Sequence, residues 1–286
     1  MTGTRTLSVL SAGLLTSVQD RGRWGHQSSG VPVAGPMDPA SHDAANAIVG
    51  NTSDAATLEI TIVGPVIRFD VAARLVIAGA DLAAGLDGVP VPLCQARDVS
   101  PGATLTFGPR RRGARAYVAI DGGVASPLVL GSRATHAVTG FGRPLISGDV
   151  IPLGPGHQRP GVRRPPIAMP TGGARVRVRR GPQTEAATDA ALAVLTRSRF
   201  VISPQSNRMG YRLTGPGIPL LPGPPMISDA TFMGGIQVTP SGEAILLMAD
   251  RQTTGGYPQM ATVISADLGI AGQLAPGEWL EFETEA

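Results

Sequence analysis

The chain has 286 residues and a formal net charge of +3, and its 24 basic residues are all arginine. Without lysine it cannot form a lysine Schiff base, build the lysine-dependent phosphate loop, assemble a Ser-Ser-Lys amidase centre or carry covalently attached biotin. Its single cysteine, Cys94, excludes an intrachain disulfide and fits a reducing compartment; in the apolar run Val-Pro-Leu-Cys it is expected to be buried and inert.

Taken in order, the elements predict a mostly β protein with a few short helices. Short apolar runs ending in Gly, Pro, Asp or Asn give strands at 57–61, 74–77, 103–107 and 114–120. One helix is marked ahead of them: Asp38 suits its cap, Pro39 its first position, Ala44 to Val49 its body and Gly50 its end. The stretch 154–173 is rich in proline and glycine and reads as a linker or long surface connection. Beyond it come a strand at 174–180, a helix over 185–197, and strands near 200–202, 235–238, 244–248 and 278–282. The expected organisation is a first β domain over 1–156, a linker over 157–173 and a second β domain over 174–286. The order Ser17-x-Gln19-Asp20-Arg21-Gly22 returns as Ser203-x-Gln205-Ser206-Asn207-Arg208-Met209-Gly210, which would fit two duplicated, barrel-like halves.

Four segments carry polar chemistry. Residues 19–26 place an amide, a carboxylate, arginines and an aromatic between glycines; Arg21 could bind a carboxylate or phosphate, or simply pair with Asp20 in a surface turn. Asp38 stands where a helix N-terminus could bind an anion, although capping already uses its oxygens. Asn46, two turns on, could reach a ligand or brace a loop. Residues 206–213 group Asn207, Arg208, Tyr211 and Arg212 around Gly210, with arginine suited to developing negative charge and tyrosine to a proton; the alternative is a hairpin anchored by Met209 and Leu213.

The strongest segment is 250–258, Asp-Arg-Gln-Thr-Thr-Gly-Gly-Tyr-Pro, which follows the apolar run 244–249. Its length exceeds what a plain hairpin needs. Asp250, Arg251, Gln252, Thr253 and Thr254 offer donors and acceptors suited to an amide or ureido group, and Gly255 and Gly256 allow close backbone approach. His26, His42, His136 and His157 lack metal-ligand spacing, so no metal site is expected. The basic clusters at 110–112 and 175–180 lack interleaved aromatics and read as solvated arginine faces, not a nucleic-acid surface. No run approaches the ~18 apolar residues of a membrane span. With no signal-peptide pattern at the N-terminus, a soluble, cytoplasmic protein is expected.

Residues 16–23, Gly35-Pro-Met-Asp-Pro, 114–123, Gly131-Ser-Arg-Ala-Thr, Gly148-Asp-Val-Ile-Pro-Leu-Gly, 206–213 and 250–259 together resemble the biotin-dependent carboxyltransferase family. Its members include allophanate hydrolase subunit 2, the C-type subunit of 5-oxoprolinase and the antagonist of the Kip kinase inhibitor. The resemblance covers nearly the whole chain in order. It implies two cyclophilin-like β-barrel domains and a hetero-oligomeric hydrolase that opens 5-oxoproline to glutamate with ATP and Mg. Its partners would be a subunit 1 or B-type chain and a LamB/YcsF-type third subunit. Alternatives within the resemblance are the carboxyltransferase component of a urea-carboxylase-like system, with biotin arriving on another chain, and a non-catalytic regulator of a kinase inhibitor. Under the hydrolase reading, Gln252, Thr253, Gly255 and Gly256 hold the amide. Arg208 and Arg21 stabilise charge on its oxygen, and Tyr211 or Tyr257 relays a proton.

Overall fold

A computed structural model describes residues 5–186, 188–222 and 226–285. The contacts divide the chain into two compact units: residues through Arg23 with Ala34–Met169, and Trp24–Val33 with Pro170 onward. This changes the expected boundaries at two points. The segment after residue 156 is no free linker, because it is strapped to the first unit: His157 Nε2 lies 2.9 Å from Asn51 Oδ1, and Val162 N donates to Ala47 O at 3.0 Å. Proline forbids helix and central strand there, yet side chains and turns satisfy the backbone. The polar cluster 19–26 is also cut after Arg23, and its remainder groups with the second unit.

The first unit packs two sheets on a common core. One has the order Val150–Pro152, Thr6–Ser11, Val66–Phe69, Thr104–Thr106, Gly85–Leu86, Val89–Pro90; the other runs Leu15–Gln19, Thr57–Thr61, Arg112–Ile120, Ala73–Asp81, Arg97–Val99. Leu7, Val9, Ile67, Phe69 and Leu105 from the first meet Leu58, Ile60, Leu75, Ile77 and Val118 from the second. The other face of the second sheet is covered by the helix Pro39–Val49, whose Ala45, Ile48 and Val49 pack on Val76, Ala78, Tyr117 and Ala119. Thr57–Thr61 is therefore buried along its whole length, polar residues included. The helix has the signals read from sequence: Asp38 Oδ1 accepts from Ser41 N at 3.1 Å, Pro39 stands at the first position, and Gly50 closes it at φ 88°.

In the second unit seven strands form a closed barrel: Gly173–Arg180, Gln259–Val263, Gly235–Val238, Ala244–Leu247, Gly210–Thr214, Arg199–Ile202 and Trp279–Thr284. Closure comes from the parallel pairing of the first and last, Gly173 with Trp279 through Val178 with Thr284. Buried Val176 and Val178 alternate with arginines that face outward. Those arginines are paired: Arg175 and Arg199 share Glu281 at 2.9 and 2.8 Å, Arg177 meets Asp267 at 2.7 Å, and Arg179 meets Glu285. The run 175–180 is thus one side of an ion-pair ladder. The helix expected over 185–197 begins only at Asp189, because Thr188 takes the cap position and its Oγ1 accepts from Ala191 N at 3.1 Å. No helix among the described residues is long and apolar enough to cross a membrane.

Candidate functional site

The repeated Ser-x-Gln pattern forms the same local structure twice. In the first unit Gln19 Nε2 donates to Ser17 Oγ at 3.0 Å, and Asp20 Oδ1 accepts from Gly22 N at 2.9 Å. In the second, Ser203 Oγ donates to Gln205 Oε1, and Asn207 Oδ1 accepts from Met209 N at 2.8 Å. Each acidic or amide side chain closes a turn on the backbone two residues on. The arginine that follows forms a two-pronged pair with an aspartate in each unit. Arg21 meets Asp43 at 3.2 Å through Nε and 2.6 Å through NH2, and Arg208 meets Asp250 at 2.9 and 2.8 Å through the same atoms. The settings differ. The Arg21–Asp43 side chains are 53 and 38% exposed, while those of Arg208 and Asp250 are 10 and 11%. An exposed pair contributes little, about 0–1 kcal/mol, whereas a buried one strongly penalises loss of either member.

Several residues expected to touch a ligand are structural instead. Asp38 is 1% exposed: its carboxylate accepts from Ser41 N and Oγ, and its backbone N–H donates to Tyr117 Oη at 2.8 Å. Tyr117 in turn donates to Glu59 Oε2, which also accepts from Met37 N at 2.9 Å. Residues 35–38 are therefore fixed from beneath by the sheet. Asn46 is fully buried; Nδ2 donates to Ala55 O at 2.8 Å and Oδ1 accepts from Asn51 at 3.0 Å, so it braces the loop after the helix. Tyr211 is 1% exposed on a barrel strand, where its hydroxyl donates to Leu274 O at 3.2 Å, which removes it from proton transfer to a ligand. In sequence the alternation 211–213 is too short to reveal that strand.

His42 sits under the same helix, Nδ1 3.0 Å from Thr57 Oγ1. Burial pushes its imidazole below the usual value, with Asp43 opposing. A proton taken up by the unfolded chain but refused by the folded one destabilises the fold. Stability should therefore be intact above about pH 6.5 and fall as pH drops below it, by at most about 1.4 kcal/mol per pH unit. Urea midpoints at pH 7.5 and 5.5 should show a larger acid loss in the wild type than in His42→Gln; equal losses would remove His42 as the cause.

The segment after Ala244–Leu247 is the best formed site. Met248 N donates to Met209 O at 2.9 Å and Asp250 N to Arg208 O at 2.8 Å, so the barrel pairing carries the chain to the Arg208–Asp250 clasp. Thr254–Gly255 then pairs antiparallel with Asp229–Ala230, Thr231 N donates to Thr253 O at 3.0 Å, and Thr231 Oγ1 donates to Gln252 O. The backbone is pinned while the side chains of Gln252, Thr253 and Thr254 form no hydrogen bond to a described residue. Thr254, Gly256 and Tyr257 are exposed. Arg251 has only 9% of its surface exposed, and burial lowers its guanidinium to about 10, against the opposing pull of Asp250, so it stays charged at neutral pH.

Two glutamines to which the sequence assigns no role complete this wall. Gln237 Nε2 reaches Tyr257 O at 3.3 Å, and Gln259 Nε2 donates to Ala230 O at 2.9 Å while its Oε1 has no partner among the described residues. A Cβ on Gly255 would stand 2.6 Å from Gln237 Nε2 and 3.2 Å from Gln252 Nε2, and one on Gly235 would stand 2.8 Å from Gln259 Oε1. Glycine at both positions thus leaves room for amide groups to converge. A sequence signal for Gln237 exists: a glutamine between the apolar Ile236 and Val238, all three buried, is a polar group that must find partners. In the first unit Asp20 also joins two distant motifs, accepting from Ser132 Oγ at 2.6 Å and Arg133 N at 2.5 Å beside a cavity of about 450 Å³ lined by Arg21, Asp54 and Arg133.

The carboxyltransferase domain family, subdomains A and B, matches residues 29–284. The chain is 34% identical over 280 residues to the C-type subunit of 5-oxoprolinase from Escherichia coli, covering 96% of this chain and 90% of that one. It is 31% identical over 301 residues to urea amidolyase of Saccharomyces cerevisiae, where 96% of this chain corresponds to 16% of the larger protein. The crystal structure of urea amidolyase from Kluyveromyces lactis superposes on 99% of the chain with a TM-score of 0.93 and 29% identity, and the chain spans 19% of it.

Proposed function

Because the chain belongs to the carboxyltransferase domain family, subdomains A and B, we propose that it is the C-type subunit of an ATP-dependent 5-oxoprolinase, a hydrolase active only as a hetero-oligomer. The observation that carries this reading is the length of the match. It accounts for 90% of the Escherichia coli 5-oxoprolinase chain, but for only 16% of the urea amidolyase. The partners would be a subunit 1 or B-type chain and a LamB/YcsF-type third subunit, working together in the cytoplasm.

The second unit supports an amide substrate. Gln252 and Gln237 offer N–H groups to a lactam carbonyl, and Gln259 Oε1 is placed as an acceptor for a lactam N–H. Thr253 and the open backbone at Gly255 and Gly256 shape the approach, and the exposed Tyr257 can hydrogen-bond a ligand at the loop's end. Arg208 acts at one remove, because its fork is occupied by Asp250. It fixes the point from which the loop departs. In the first unit Arg21, held by Asp43, keeps a half-exposed guanidinium beside the cavity. ATP, with Mg, would supply a phosphoryl group that activates the amide for ring opening by water. This chain has no lysine for a phosphate loop, so its nucleotide site is assigned to a partner chain.

The test is co-expression with the B-type and LamB/YcsF-type chains, followed by an assay of glutamate formed from 5-oxoproline. Turnover should require all chains and ATP. Urea carboxylation with a biotinylated carrier, or stable assembly without any turnover, would overturn the proposal.

A further inference from the structure

The second unit holds a buried charge without a counter-charge of its own. Among the described residues the Arg251 guanidinium makes one hydrogen bond, a long one from NH1 to Met248 O at 3.5 Å, and its Nε has none. The neighbouring carboxylate, Asp250, spends both oxygens on Arg208. Two arginines thus adjoin one aspartate, and the aspartate is taken. Desolvating an ionised group costs several kcal/mol when nothing compensates it, even after relaxation. Burial still leaves Arg251 protonated, since its value falls only to about 10. A planar fork with five N–H donors matches a carboxylate in two parallel hydrogen bonds. Directly after it in sequence come the amide-recognising groups of Gln252 and Thr253, which make no hydrogen bond of their own to a described residue.

We propose that Arg251 is the specificity-determining anchor for a substrate carboxylate, so that the site takes lactams or amides bearing a carboxylate and rejects neutral ones such as urea. This rests on the amide-hydrolase reading above and narrows it. A neutral amide would leave the guanidinium buried and unpaired, and sites built to pair a polar group discriminate strongly against ligands that lack the partner. The same residue set therefore separates 5-oxoproline from 2-pyrrolidinone, which is the same ring without the carboxylate.

The experiment uses the assembled complex and both lactams. Arg251→Gln should raise KM for 5-oxoproline at least tenfold with a smaller change in kcat, and should collapse the preference over 2-pyrrolidinone. Arg251→Lys, which restores a charge without the fork, should recover part of it. An unchanged preference in Arg251→Gln overturns the anchor. Calorimetric titration of the full chain with each lactam separates this result from failure of the 5-oxoprolinase reading. If the complex turns over nothing but 5-oxoproline binding is lost in Arg251→Gln, the anchor stands and the reaction falls. Equal binding of the two lactams by the wild type, or of neither, sinks the anchor itself.

Discussion

Asp250→Ala is expected to lower the free energy of unfolding by about 3–5 kcal/mol, seen as a fall in the denaturant midpoint, and to abolish turnover by the complex. The magnitude follows from burial. Both side chains of the Arg208–Asp250 pair are about nine-tenths hidden, and the geometry is a two-pronged fork at 2.8 and 2.9 Å. Removing the carboxylate takes the fork's counter-charge from a desolvated Arg208 that already neighbours Arg251. Replacing both partners by apolar residues of similar volume, Arg208→Met with Asp250→Leu, should recover most of the stability, because the buried guanidinium leaves together with its acid. That double variant should remain inactive, since the loop after Asp250 loses its fixed departure point. A wild-type midpoint in Asp250→Ala would show that the clasp does not hold this end of the barrel.

Gln259→Met should raise KM for 5-oxoproline by about 10–100-fold, equivalent to about 1.4–2.7 kcal/mol of binding. The folding stability should stay within about 1 kcal/mol of the wild type. These two effects separate because the side chain has two ends with different duties. Nε2 is spent on Ala230 O, whereas Oε1 is buried without a described partner. An unsatisfied buried acceptor disfavours the fold by about 1–3 kcal/mol, so an apolar side chain of similar shape offsets the lost Nε2 bond. In a complex with a lactam the same Oε1 would accept the ring N–H, and methionine offers only a weak acceptor there. Steady-state kinetics on the complex and urea unfolding of the chain check both halves. An unchanged KM would remove Gln259 from substrate recognition.

Much of the first unit is legible in the sequence because its signals are local. The helix Pro39–Val49 needs only a capping aspartate, a proline at its start and a glycine able to take positive φ, and all three lie close together along the chain. The strand Thr57–Thr61 is bounded by turn residues. The second helix starts later than alanine-rich composition suggests, because composition says nothing about where a cap will win, and Thr188 wins. The stretch after residue 156 departs from a linker for a related reason. Proline reports which backbone is forbidden, while Asn51 and Ala47, which fasten that segment, lie far away in sequence.

For the candidate site, the sequence by itself determined the chemistry that was excluded, through the missing lysine, and the chemistry on offer in residues 250–258. It also contained the Ser-x-Gln repeat, which the structure turns into two matching turns and two matching Arg–Asp forks. Only the tertiary structure decided which of these groups are spent and which are free. Asp38, Asn46 and Tyr211 have the same functional groups as ligand-binding residues, but packing aims them at Ser41, Ala55 and Leu274. Arg208 and Arg251 are identical in type and both adjoin Asp250, yet only Arg208 holds its carboxylate. Partner choice depends on distances between strands that adjoin in the barrel and are remote in sequence, as with residues 208 and 250. Residue types fix what a side chain can bond; the closed barrel fixes which bond it makes.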